Sequence, residues 1–222
     1  MGQRKFAVTP GFGVGGTVFS PKQLAAIGSI AEKIIDVEMT GFKQLYVTAE
    51  EERLAEVQEE LQAAGLQIHP AGFVTKSLIA CQFCRGAEDA GLEVARALDL
   101  ATTGIEVPSP LRIGYAGCAL GTSEPLLKDI AVVKMKDSYD LYVGGEPKGI
   151  KAGLATLLLT GLQAEQLIPA VTRLVAQFRE HGKRKESYRR FVQRFTLDKL
   201  REAAEDAAGR VPGKQGGPKA AG

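Results

Sequence analysis

Val74-Thr75-Lys76-Ser77-Leu78-Ile79-Ala80-Cys81-Gln82-Phe83-Cys84 is where the chain changes character. Residues 74–81 read as a strand ending in a C-x-x-C pair, ahead of a helix predicted over 88–98. A second strand, predicted over 111–116, closes in Gly114-Tyr115-Ala116-Gly117-Cys118. If these strands are neighbours in one sheet, Cys81, Cys84 and Cys118 converge at one edge. Clustered thiolates suit zinc or iron–sulfur centres, and helix-start amides together with Arg85 would favour the thiolate form. Spacing alone is evenly balanced. Redox dithiols and chance pairs share C-x-x-C, and Cys118 is equally readable as a small buried residue.

Downstream, residues 129–135 and 139–143 read as a strand pair turned by Lys136-Asp137-Ser138. Leu167, Ile168, Val171, Leu174, Val175 and Phe178 give an amphipathic helix over 163–179, and a last helical region is predicted over 187–207. Upstream, Met1 to Ser20 read as irregular chain ending in a short strand at Thr17-Val18-Phe19. Ser20-Pro21-Lys22-Gln23 carries the signature of a capped helix start, with Leu24, Ile27, Ile30, Ala31 and Ile34 on one face. Strands follow over 36–40 and 43–47. A second capping box, Thr48 with Glu51, then opens a helix through Leu54, Val57 and Leu61, stopped by Gly65, and a further strand follows. The fold class expected is α+β, with a half-domain over 1–72, an α/β domain over 73–208 and a disordered tail over 209–222. That tail holds five Gly and two Pro and no acid; without its three cations the rest of the chain is nearly neutral.

The chain has 222 residues, 45% apolar and 24% charged, with a formal net charge of +2. Such a balance excludes a wholly disordered chain and one built to neutralise phosphates, and the absence of Trp leaves few stacking platforms, so no nucleic-acid partner is expected. The apolar-looking stretch 150–162 is interrupted by Lys151, Gly153, Thr156 and Thr160 and is too short for a bilayer, which needs about 20 residues. No leader pattern follows Arg4 and Lys5, so the expected location is the cytoplasm, where an odd cysteine count fits free thiols. Gly11-Phe12-Gly13-Val14-Gly15-Gly16 matches the dinucleotide fingerprint as a string, but Pro10 precedes it and no helix opens within it, so it is read as a turn. His69 and His181 are given structural roles; a Cys3His zinc site using His69 has no motif behind it. Lys134 and Lys136 read as solvated charges. Lys183-Arg184-Lys185 with Arg189, Arg190 and Arg194 reads as a solvated basic face or a dock for an acidic electron donor.

Several motifs in order resemble the sirohaem nitrite and sulfite reductase family. They are Lys76 to Cys81, Ile113 to Cys118 followed by Asp129-Ile130-Ala131-Val132-Val133, and Tyr139 to Gly145. Pro21 to Gly65 resembles that family's ferredoxin-like half-domain, and Glu186 to Phe195 its closing helix. The resemblance spans roughly residues 8 to 200 and implies a ferredoxin-like half followed by an iron–sulfur/sirohaem-type domain. By this resemblance Cys81, Cys84 and Cys118 are ligands of a [4Fe–4S] cluster, the family's C-x5-C being shortened here to C-x2-C. Thr122 stands where the family has its fourth, bridging cysteine, so the cluster would be ligated by three cysteines. Lys76 and Arg112 fall on basic positions that grip sirohaem and substrate. The second member of the family's Lys-x-Lys pair is Gly114, and Lys43 lies one residue beyond the usual arginine position, Phe42. The resemblance thus implies reduction of a small oxyanion by Lys76, Arg112 and Lys43 around sirohaem, fed by an electron-donor protein. Because the family pairs two half-units and this chain has one, a two-fold homodimer is expected. The departures leave two other readings open: a non-catalytic iron–sulfur or tetrapyrrole-binding carrier or sensor, and a zinc or thiol-redox protein.

Overall fold

The computed structural model describes residues 2–12, 18–150 and 152–210. Two sheets, each with its own apolar core, follow one another along the chain. The first is antiparallel, in the order β2-β3-β1-β4, built from β1 (Gln3–Thr9), β2 (Ile34–Met39), β3 (Leu45–Glu50) and β4 (Gln67–Pro70). Helices α1 (Pro21–Ser29) and α2 (Leu54–Ala63) belong to its core, where Ile30, Val57 and Leu61 meet Phe6, Val8, Val47 and Ala49. The opposite face, through Tyr46, meets the segment carrying Lys76.

The second sheet is mixed, in the order β5-β6-β7-β8-β9. Strands β5 (Ile79–Ala80), β6 (Ile113–Ala116) and β7 (Ile130–Met135) are parallel, and β8 (Ser138–Val143) and β9 (Thr156–Leu162) continue antiparallel. Its core gathers residues of α3 (Leu92–Thr102), α4 (Ala164–His181), α5 (Tyr188–Phe195) and α6 (Leu197–Ala207) against Ile113, Tyr115, Ile130, Val132 and Leu141. Phe178, Tyr188 and Phe191 lock α4 to α5 with ring centroids 5.1–5.8 Å apart, a geometry suited to the ring quadrupoles.

The Ser20–Gln23 capping box is present in both directions, and Gly65 ends α2 in the left-handed region. The α+β class and the Lys136 hairpin also stand as expected, Lys136 having φ +52°. Other boundaries move. Met1 to Ser20 was expected to be irregular, yet Gln3–Thr9 is a central strand paired on both sides; Val18 and Phe19 are not in a strand, and Thr17 lies outside the described residues. Helix α1 stops at Ser29, and a short 3-10 turn at Ala31–Lys33 leads into β2. Thr48 caps nothing: it sits buried inside β3 with its hydroxyl unpartnered.

The strand expected over 74–81 contracts to Ile79–Ala80, with isolated bridges at Val74 and Thr75. The helix expected over 88–98 starts at Leu92, because Gly91 takes φ +72° and the carbonyls of Ala90 and Gly91 accept from the Tyr115 hydroxyl. Strand β9 was missed since Gly161, at φ +64°, and shifts in pairing register break its alternation. The last helical region is two helices, parted at Thr196 with φ +81°. Most of the Gly11–Gly16 string and residues 211–222 of the expected tail lie outside the described residues. Within them, Arg210 is tied down, donating to the carbonyls of Thr160 and Gly161 at 2.9 Å.

Candidate functional site

Strands β5 and β6 are parallel neighbours, so the cysteines that follow them leave the sheet at the same end. Cys81 is buried, its amide donating to the Tyr115 carbonyl at 3.1 Å and its Sγ accepting from the Gly117 amide at 3.2 Å. The chain then turns through Phe83, which holds φ +54°. Its buried ring stacks on Tyr115 at 6.0 Å and meets Phe12 edge-on at 5.9 Å. Cys84 is exposed and Cys118 half-buried.

All three cysteines, with Thr122, Phe83, Arg85 and Gly117, line one small cavity. Gly117 allows this approach: a Cβ there would stand 2.5 Å from that of Ala90. No helix begins at Cys84, so the helix-start amides expected there are absent; the Gly117 amide serves Cys81 instead. Among the described residues, no three His, Cys, Asp or Glu side chains are gathered round one point as a single metal ion needs. Ligands of one tetrahedral zinc stand about 3.8 Å apart, from its 2.3 Å bonds to sulfur. Cluster thiolates each bind a different iron and stand wider. The donor set, three soft thiols lining one cavity, is of the kind that suits an iron–sulfur cluster. The side chains now leave ≈ 10 Å³ between them, so seating a cluster requires the two cysteine loops to part.

The basic residues are distributed differently from expectation. Lys76 is buried in the seam between the sheets, where Nζ donates to the Tyr46 hydroxyl and the Gly72 carbonyl, both at 2.8 Å, and lies over the rings of Phe42 and Tyr46. Burial pushes its amine down to about 8. Arg112 forms a fork with Asp129 (Nε–Oδ2 2.8 Å, Nη2–Oδ1 3.0 Å), and its own amide donates to the same carboxylate at 2.8 Å. Burial pushes the Asp129 carboxyl up, against the pull of that guanidinium. Lys43 holds φ +56° in the β2–β3 turn and donates from Nζ to the Ala80 carbonyl at 3.0 Å, next to Cys81. The pairing of Asp129 with Arg112 and the packing of Lys128 over Gly114 were missed by sequence reasoning; for the second, the one available signal was the missing side chain at Gly114.

His69 lies on β4 and lines a separate cavity with Asp99 and Arg96, its Nε2 buried without a partner. It does not line the cysteine cavity, so a Cys3His set is not assembled. His181 ends α4 and stacks on Phe195. In the basic cluster, Arg194 is held by Glu186 and the His181 carbonyl, and Arg189 by the Gly144 carbonyl. No helix among the described residues is long and apolar enough to cross a membrane.

The protonation of Lys76 has a measurable consequence. With a folded value near 8 and an ordinary value of about 10.4, the native state binds fewer protons than the unfolded chain between these limits. Stability therefore rises as pH climbs through about 8 and levels off near 10.4. Against Lys76→Met, the wild-type chain is expected to gain about 2 kcal/mol between pH 7 and pH 10 in urea unfolding. Parallel stability curves would contradict the burial of this charge.

Residues 76–211 match the family described as the nitrite and sulphite reductase 4Fe-4S domain. The chain is 24% identical over 188 residues to the cobalt-factor III methyltransferase of Priestia megaterium, covering 85% of this chain and 34% of that protein. It is 27% identical over 166 residues to the nitrite reductase (NADH) large subunit of Escherichia coli K12, covering 72% and 20%. Among solved structures, the Mycobacterium tuberculosis NirA protein aligns with TM-score 0.66 at 17% identity, over 94% of this chain and 40% of that one. Dissimilatory sulfite reductase I aligns with TM-score 0.69 at 12% identity, over 95% and 70%. The chain thus spans about a third of the first of these relatives and a fifth of the second.

Proposed function

The chain belongs to the nitrite and sulphite reductase 4Fe-4S domain family, and from that premise we propose that it is the cluster-bearing unit of a small-oxyanion reductase. The observation that carries this reading is the convergence of Cys81, Cys84, Cys118 and Thr122 on one cavity beside two parallel strands. When bound there, a [4Fe–4S] cluster supplies one-electron transfer. Cys81, Cys84 and Cys118 would hold it by thiolate, with Thr122 lining the same cavity. The Gly117 amide, already on Cys81 Sγ, would draw electron density from that sulfur and raise the potential of a bound cluster. Phe83, buried against Tyr115 and Phe12, lines the cavity and would help keep water from it. Lys43 brings positive charge next to Cys81, and Lys76 Nζ, with its value near 8, is able to hold or release a proton close to neutrality.

Sirohaem held by this chain alone fits less well. Arg112 is neutralised by Asp129, and Lys76 is occupied by Tyr46 and Gly72, so neither keeps a free cation for a tetrapyrrole carboxylate. This favours a second reading, a cluster-bearing carrier or sensor without turnover. A matched relative that bears a methyltransferase name shows that similar sequence also occurs in proteins not named as reductases. In the first reading a second copy, related by a two-fold axis, completes the pocket, and an electron-donor protein docks outside it. The test is oxidation of reduced methyl viologen by sulfite or nitrite with the chain loaded with cluster and supplied with sirohaem. Anion-dependent oxidation is expected; a chain that takes up electrons but never turns over either anion would leave the carrier reading in its place.

A further inference from the structure

Strand β4 of the first sheet and helix α3 of the second core meet over a cavity of ≈ 260 Å³. It shares no lining residue with the cysteine cavity. His69 reaches it from β4, and Arg96, Asp99 and Leu100 reach it from α3. The helix residues meet there because positions three and four apart lie on one face. Ligand pockets usually run to about 300–1,000 Å³, so the occupant here is a single small molecule.

Asp99 is 8% exposed. Its Oδ1 accepts from the Leu78 amide at 2.8 Å and the Thr103 hydroxyl at 2.7 Å, which fixes the carboxylate. Among the described residues, no protein group donates to its Oδ2. Arg96 pairs instead with Glu93 at 2.8 Å, in an exposed contact that holds little. The His69 Nε2 is buried without a partner. Burial keeps that imidazole below its ordinary value, against the Asp99 charge, so at neutral pH its ring can accept a hydrogen bond. Phe12 and Leu100 add apolar walls, Leu100 being 87% exposed and uncovered by the chain.

These groups select a kind of ligand. Asp99 opposes a simple anion, and Arg96 opposes a simple cation. A neutral apolar solute would leave Asp99 Oδ2 and His69 Nε2 unsatisfied, at the cost of burying polar groups unpaired. A zwitterion answers both charges at once. We propose that this cavity binds a free α-amino acid with an apolar side chain. Its ammonium donates to Asp99 Oδ2 and His69 Nε2, its carboxylate accepts from Arg96, and its side chain covers Leu100 and Phe12. The proposal does not rest on the reductase reading, and no cluster is needed to test it.

Calorimetric titration of the full chain at neutral pH with L-leucine, L-methionine and L-phenylalanine is expected to give saturable binding of at least one. The amide of that amino acid lacks the carboxylate, and the desamino acid lacks the ammonium. Each should bind about tenfold or more weakly, since a charge-assisted hydrogen bond is lost. Arg96→Gln should weaken the amino acid by a similar factor but leave the amide unaffected. Its unliganded melting temperature should stay within about 2 °C of wild type, as for other surface changes. Asp99→Asn keeps an oxygen for Leu78 and Thr103 and should remove the preference for a ligand with an ammonium. Binding of none of the three amino acids would overturn the proposal. Equal affinity for the amide and the desamino acid as for the amino acid, or unchanged affinity in Arg96→Gln, would overturn it equally.

Discussion

Cys81→Ser is expected to reduce iron in the anaerobically purified protein to background while leaving the fold intact. Serine preserves the shape of Cys81 and offers an oxygen to the Gly117 amide that now donates to sulfur at 3.2 Å. What it removes is a soft ligand from a set of three, and two thiolates do not retain a cluster that four ordinarily hold. Thr122→Cys acts in the opposite direction. Thr122 lines the same cavity as the three cysteines, so a thiol there completes a four-sulfur set and should slow the loss of iron in air. Iron retained at the wild-type level in Cys81→Ser would place the cluster elsewhere.

Asp129→Ala should be the most destabilising single change outside the cysteine loops. The carboxylate is 2% exposed and satisfies three donors of Arg112, two from the guanidinium and one from the backbone. Its removal leaves a buried guanidinium whose next carboxylate, Glu146, is 3.7 Å away. Breaking a buried pair in this way costs about 3–5 kcal/mol, a large part of a stability that is usually 5–15 kcal/mol. In a chain of this length the melting temperature should fall by about 10 °C. Arg112→Met with Asp129→Leu removes both charges and should recover most of the loss. A change below about 1 kcal/mol in Asp129→Ala would mean that Arg112 is free to serve a ligand. As the structure stands, Arg112 is a positioning residue, tying the start of β6 to that of β7 through Asp129.

What the sequence disclosed was mostly local. Ser20 and Gln23 are three residues apart and cap each other, so their box is legible. The β7–β8 hairpin turns within a few residues, and the stripe from Leu167 to Phe178 needs no partner to be recognised. The convergence of the cysteines needed one non-local premise, parallel pairing of the strands before them, and that pairing is present. Strand β1 was illegible because its first residues, Gln3-Arg4-Lys5, are polar and its identity comes from pairing on both sides with β3 and β4. The partners of the basic residues were illegible for the same reason. Arg112 meets a carboxylate 17 residues away, Lys76 is enclosed by a tyrosine 30 residues away, and Lys128 fills a gap made by a glycine on another element. Charge can be read from a sequence. The partner that spends it depends on the fold.

The central claim, a cluster on Cys81, Cys84 and Cys118, is tested most directly by iron and acid-labile sulfide per chain after anaerobic purification and reconstitution. The account predicts about four of each, falling together in Cys81→Ser. Stoichiometric zinc without sulfide, or neither metal after reconstitution, would contradict it.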